Sequence, residues 1–217
     1  MNTKNLFLSI ILITLFTACN EDSLAPFMSN FPSVDERFKI SMSYNNLYDT
    51  IRVANKEYRI YVCTDTHVAG EDLNKTLKTF ITLYKNDKDC SAACCLGDIV
   101  EANQKYEYFT KAFEDGDDYP CKKNNMFVAL GNHDIYYDQY NAFRSHISQR
   151  TNYYFVVESN DNVSDLYICL DTATGTLGRV QMEWLRGLSR SSGTTVRMSI
   201  LILNFLKCMI RSAKIAF

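Results

Sequence analysis

Histidine is scarce in this chain, with three among 217 residues and none after His146. A site built on imidazole nitrogen therefore has few candidate positions. Positive charge is not in excess either: the formal net charge is −2, and the Lys and Arg residues are scattered rather than gathered on one face. That argues against a broad basic surface, and nucleic acid is not an obvious partner. No apolar run reaches the ~20 residues of a membrane-spanning helix, and there is no internal repeat or low-complexity tract. With 47% hydrophobic and 22% charged residues, the chain has the material for one sizeable core and lacks the balance of a disordered polymer.

Paired cysteines are not a framework here. Of the eight cysteines, Cys63, Cys94, Cys95 and Cys169 fall inside apolar runs that read as strands, where a thiol behaves as a small hydrophobe. Cys94 and Cys95 are adjacent and point to opposite faces of a strand, so they lack the two-residue gap of a zinc ribbon. Cys90 and Cys121, in polar contexts, remain the one pair suited to a disulfide. Removing Cys19 leaves an odd number, so complete pairing is excluded.

What is present begins with Lys4 and the apolar run Leu6 to Phe16, followed by Thr17-Ala18-Cys19. This reads as a secretory signal. Its end is similar to the bacterial lipobox, in which small residues precede a Cys that becomes the lipidated N-terminus; ordinary cleavage beside an incidental Cys is the alternative. The expected organisation is a signal peptide over 1–18, a lipidated N-terminus and irregular tether over 19–50, and a folded domain over 51–217. The mature chain is then expected at the periplasmic or cell-surface side of a bacterial membrane, held there by lipid on Cys19.

Past residue 50 the pattern becomes regular. Tyr58 to Cys63, Ala92 to Leu96 and Met126 to Leu130 read as short strands, each ending in a polar cluster. Leu73, Leu77, Phe80, Ile81 and Tyr84 form one face of an amphipathic helix, with Glu71 and Asp72 at its N-terminus. Tyr106, Phe109 and Phe113 mark a second helix, and Tyr140 to Ile147 a third. Tyr153 to Val157 and Leu166 to Leu170 read as strands on either side of Asn160-Asp161-Asn162. A last helix carries Val180, Trp184, Leu185 and Leu188, and Ser199 to Leu203 reads as a buried mid-sheet strand. Alternating strands and helices imply an α/β fold, mixed β-sheet layers flanked by helices, with ligands beyond the carboxyl ends of the strands.

The three polar clusters stand at those ends. Asp65-x-His67 offers a carboxylate oxygen and an imidazole nitrogen to one point; Gly97-Asp98 adds a carboxylate; Gly131-Asn132-His133-Asp134 adds an amide oxygen and a second imidazole. In order and spacing these resemble the first three signature blocks of the calcineurin-like metallophosphoesterases. The resemblance spans roughly Tyr58 to Leu188. It implies metal-dependent hydrolysis of phosphate esters at two divalent or trivalent ions (Fe, Mn, Zn or Co). In the family, the positions of Asp65 and His67 hold one ion, that of Asp98 bridges both, that of Asn132 holds the other, and that of His133 contacts the phosphate and protonates the leaving group. Where many relatives have Asp after the second block this chain has Glu101; Glu101 and Asp134 could both orient neighbours, and their roles stay open.

The family completes its site with later histidines, and this sequence supplies none after His146. The chain is therefore expected to be C-terminally truncated or frameshifted near residues 190 to 200, with impaired activity. A non-catalytic lipoprotein that keeps the fold to bind a phosphate ligand or a partner is the alternative, and an amphipathic membrane-surface tail is another reading of the basic C-terminus.

Overall fold

A computed structural model describes residues 30–47, 50–55, 57–101, 105–113, 125–159, 164–191 and 196–202. Two sheets face each other, with helices outside both. Strands β2 (Arg59–Cys63), β3 (Cys90–Cys95) and β4 (Met126–Val128) form a parallel sheet in that order. Strands β1 (Ile51–Arg52), β5 (Tyr153–Glu158), β6 (Ser164–Leu170) and β7 (Val196–Ile202) form a mixed sheet in which only β5 and β6 are antiparallel. This is the α/β arrangement of mixed sheet layers expected from the alternating pattern.

The period of two along each strand decides which layer each side chain joins. Ala92 and Cys94 of β3 turn toward the second sheet, where they meet Tyr153, Phe155, Val157 and Cys169. Small residues there leave room for Phe127 to stack on Phe155 with ring centroids 3.8 Å apart. The alternate residues Ala93 and Cys95 face the helices α2 (Lys75–Asn86), α3 (Glu107–Lys111) and α4 (Gln139–His146), through Leu77, Phe80, Tyr84, Phe109 and Phe143. Adjacent Cys94 and Cys95 thus serve two different cores. Burial pushes the Cys169 thiol up to about 12 and holds that of Cys95 well above its ordinary range. Cys90 opens β3 and is buried rather than in a polar loop; its suggested partner Cys121, like Cys19 and the Asn160 turn, lies outside the described residues. On the outer side of the second sheet, Leu166, Ile168 and Leu170 pack against Trp184, Leu185 and Leu188 of α5 (Arg179–Ser191).

Three expectations need correction. The stretch expected as an irregular tether contains helix α1 (Val34–Met42), which belongs to the folded body. Ser33 and Glu36 form a reciprocal capping box at its start. Its Arg37, with no exposed surface, forks onto Asp171 at the end of β6, Nε to Oδ2 at 2.7 Å and Nη2 to Oδ1 at 2.8 Å. Second, α2 is capped by Asn74, whose Oδ1 accepts from Leu77 N at 2.9 Å, while Asp72 pairs instead with Lys78. Third, β7 pairs in parallel with β6 on the side that β5 leaves free, and among the described residues it is the outer strand of its sheet rather than a mid-sheet one.

Candidate metal centre

The three strand-end motifs converge because their loops continue the strand pairing. Beyond β2 and β3 the backbones still run side by side: Leu96 N donates to Cys63 O at 2.8 Å, His67 N to Asp98 O at 2.9 Å, Val68 N to Ile99 O at 3.0 Å and Glu101 N to Val68 O at 3.0 Å. Asn74 Nδ2 donates to Thr66 O, so the cap of α2 also holds the first loop. Asp65, His67 and Asp98 have φ of 51°, 40° and 46°, left-handed values that cost a non-glycine residue roughly 1–3 kcal/mol each. Only three other non-glycine residues share this feature among those described, Asn45, Tyr137 and Asp138. Strain gathered on the polar residues of one spot is characteristic of a functional site rather than of a turn.

The third motif is built against Asp98. His133 N donates to Asp98 Oδ1 at 3.0 Å, and a Cβ on Gly131 would fall on Asp98 N and Oδ1. Only glycine allows that approach. Asp134 is fully buried and accepts from Gly131 N at 2.8 Å, Tyr106 Oη at 2.9 Å and Ile99 N at 3.2 Å. It therefore closes the turn and ties it to the second loop. Burial, then the charge of Asp98, push its carboxyl up to about 7, against the pull of the three donors. Asp98 is raised as well, by burial first, with the His133 amide and the two histidines opposing.

Asp65, His67 and Asp98 bring one ligand atom each within 4.8 Å of one another. His67 Nε2 lies 3.9 Å from Asp65 Oδ1 and 4.0 Å from Asp98 Oδ2. Ligands of one ion at ~2.0–2.2 Å stand about 3.0–3.5 Å apart, so the set is somewhat wider than an ion would hold it. His133 stands edge-on to His67, centroids 4.6 Å apart. Asn132 lies in the same turn; its Nδ2 donates to Tyr136 Oη at 3.3 Å, and its oxygen is the atom chemically able to ligate. His146 sits on α4 beside Glu107 and joins neither donor group.

Two neighbours were not placed by the motifs. Glu101 Oε2 approaches His67 Nδ1 to 2.9 Å, and Tyr136 reaches Asn132. Glu101 carries a readable signal, since it is a carboxylate three residues after Asp98, but which imidazole it meets depends on the register of the two loops. Tyr136 gives none.

Residues 58–196 match the family model of the calcineurin-like phosphoesterases. The chain belongs to that family. No curated protein and no solved structure matches it. The matched span runs from just before β2 into the start of β7 and contains all three motifs. Phosphoesterases of this family usually bind divalent metals, and the donors here suit them: mixed carboxylate and imidazole at a partly open site, with the Nδ1 atoms of His67 and His133 shut from solvent and without a hydrogen-bond partner. Buried polar atoms are rarely left so unless a ligand completes them. The family assignment supports metal-dependent action on phosphate esters.

Proposed function

We propose that this phosphoesterase domain hydrolyses phosphate esters at two metal ions held by Asp65, His67, Asp98 and Asn132, with His133 facing the substrate. The observation that carries the reading is the convergence of Asp65, His67 and Asp98 from two strand ends onto one point, on strained backbone. When bound, such ions supply charge to the phosphoryl oxygens and an acidified water. The chain's own part is to place them. Asp98 is the carboxylate in reach of both the first and third motifs, which suits a bridging position. His133 is held by its own backbone bond to Asp98, so its ring stands beside the ligands with a nitrogen for the leaving oxygen.

The test pairs metal content with turnover of aryl phosphate mono- and diesters. Asp98→Asn should abolish turnover and lose the metal that Asp98 holds. His133→Gln should lower turnover of a poor leaving group ~10²- to 10⁴-fold and that of an activated one less, with the Asp98-dependent metal retained. Wild-type protein that binds metal yet turns over neither ester would instead favour the binding role. That second reading draws on the two imidazoles at the site, fewer than the family pattern uses. Export with a lipid on Cys19 belongs to the same proposal, and Cys19→Ala should release the protein from membranes. Among the described residues no helix is long and apolar enough to cross a membrane.

A further inference from the structure

The two nitrogens of His67 serve two different neighbourhoods. Nε2 faces Asp65 and Asp98, at 3.9 and 4.0 Å. Nδ1, on the opposite edge of the ring, lies 2.9 Å from Glu101 Oε2, and the other oxygen of Glu101 lies 3.8 Å from His133 Nδ1. One ligand atom from each of His67, Glu101 and His133 falls within 4.8 Å of the others, a group that shares only His67 with Asp65, His67 and Asp98. Neither Nδ1 is hydrogen-bonded although both are closed to solvent; the Glu101 oxygen is near His67 but off the direction in which a ring N–H would point. A carboxylate and two imidazole nitrogens have thus gathered without satisfying one another.

We propose that His67 Nδ1, Glu101 and His133 Nδ1 form a second kind of cation site, which takes a borderline transition-metal ion such as Zn²⁺, Co²⁺ or Ni²⁺ and competes with the Asp65–Asp98 set for His67. Two imidazoles and one carboxylate match such ions and disfavour Mg²⁺ and Ca²⁺, which call for oxygen. Competition follows from valence, since a neutral imidazole has one lone pair. With Nδ1 on the ion, the proton sits on Nε2 and points at Asp65 and Asp98, the arrangement in which carboxylates support a ligating histidine from behind. With Nε2 on an ion, Nδ1–H turns to Glu101 and the second site opens. Filling it also draws His133 away from substrate, so an excess of these ions inhibits.

The inference goes beyond the phosphoesterase reading and its test is separate. The full chain, without an affinity tag and stripped of metal, is titrated with Co²⁺ and followed by visible absorption and bound equivalents. Asp98→Asn should still bind one Co²⁺ with nitrogen-ligand absorption. Adding Glu101→Gln or His133→Gln should weaken it at least about tenfold, as should Glu101→Asp, which keeps the charge and shortens the reach. His146→Gln should change nothing. In the otherwise unaltered chain, where the two sets exclude each other at His67, Glu101→Gln should keep the bound equivalents and change the Co²⁺ absorption, because the ion then goes wholly to the Asp65–Asp98 set, an arm that does not rely on Asp98→Asn folding. Co²⁺ binding and absorption indifferent to Glu101 in both backgrounds overturn this site and leave the phosphoesterase reading standing. Co²⁺ binding that depends on Glu101, in a wild-type protein without phosphoester turnover under any metal, sinks that reading and leaves this site in place.

Discussion

Each sheet ends in a polar cluster, and the two are opposite in kind. Beyond β6, Arg37, Asp171, Asn152, Gln181 and Ser41 are all buried, and their groups are bonded to one another. Arg37 adds Pro32 O at 2.7 Å to its fork on Asp171. Gln181 Nε2 donates to Asp171 O at 2.9 Å and to Leu177 O at 2.8 Å, and its Oε1 accepts from Asp171 N at 2.8 Å. Ser41 Oγ accepts from Thr151 N and Asn152 N, both at 3.0 Å. Beyond β2, β3 and β4, Asp65, His67 and Glu101 are half-open, His67 Nε2 stands 3.9 Å from Asp65 and 4.0 Å from Asp98, Glu101 stands 3.8 Å from His133, and the backbone is strained. A closed, saturated cluster is a structural tie; an open, unsatisfied one waits for a ligand. The same residue types carry both roles, and hydrogen-bond completeness separates them.

The sharpest way to break this contrast is to remove one partner of the buried ion pair. Arg37→Met leaves Asp171 charged and buried, and should destabilise the protein by about 3–5 kcal/mol. Adding Asp171→Leu should restore much of that, since the uncompensated charge is then gone. Asp98→Asn should not unfold the metal-free protein. Burial raises the Asp98 carboxyl in the fold, so its ionised form weakens the metal-free fold above the ordinary carboxylate range. The substitution therefore stabilises there, and the gain disappears at acid pH where the carboxyl is protonated in both states. Urea melts of the metal-free proteins decide: equal losses for Arg37→Met and Asp98→Asn would erase the distinction between tie and site.

Gly131→Ala probes the open cluster from its backbone. The new methyl falls on Asp98 N and Oδ1, so turn and carboxylate must separate. Overpacking of this sort costs about 1–3 kcal/mol, and metal loading should fall with it because Asp98 moves. Unchanged metal affinity would show that Asp98 does not depend on the third motif for its position.

The open cluster was largely legible in the sequence because each motif is local: a short alternating strand, then polar residues that its end must present. Asp65, His67, Asp98 and His133 needed only the parallel order of three strands to meet. The closed cluster was not legible, because its central bond joins Arg37 to Asp171 across 134 residues, and residues 19–50 looked irregular by composition alone. The capping box Ser33-Val34-Asp35-Glu36 was a local signal for α1 that the run of polar residues obscured. Glu101 was visible as a carboxylate, but its contact with His67 arises from the register of Val68 against Val100, which no local pattern carries.

The smallest expected effect lies where helix and site meet, at Asn74. Its Oδ1 caps α2 through Leu77 N and its Nδ2 holds the carbonyl of Thr66, between the two residues of the first motif. Asn74→Ala removes both bonds and should destabilise by about 1 kcal/mol, a typical loss for a cap. Asn74→Asp separates the two functions, since a carboxylate still caps Leu77 N but cannot donate to Thr66 O. If the loop is held by Asn74, the Asp variant keeps stability near wild type while metal affinity drops, because the strained φ of Asp65 and His67 loses its brace. If the Asp variant binds metal as well as wild type, the first loop is held by its pairing with the second loop alone, and the strain at Asp65 and His67 is maintained by the sheet register without help from α2.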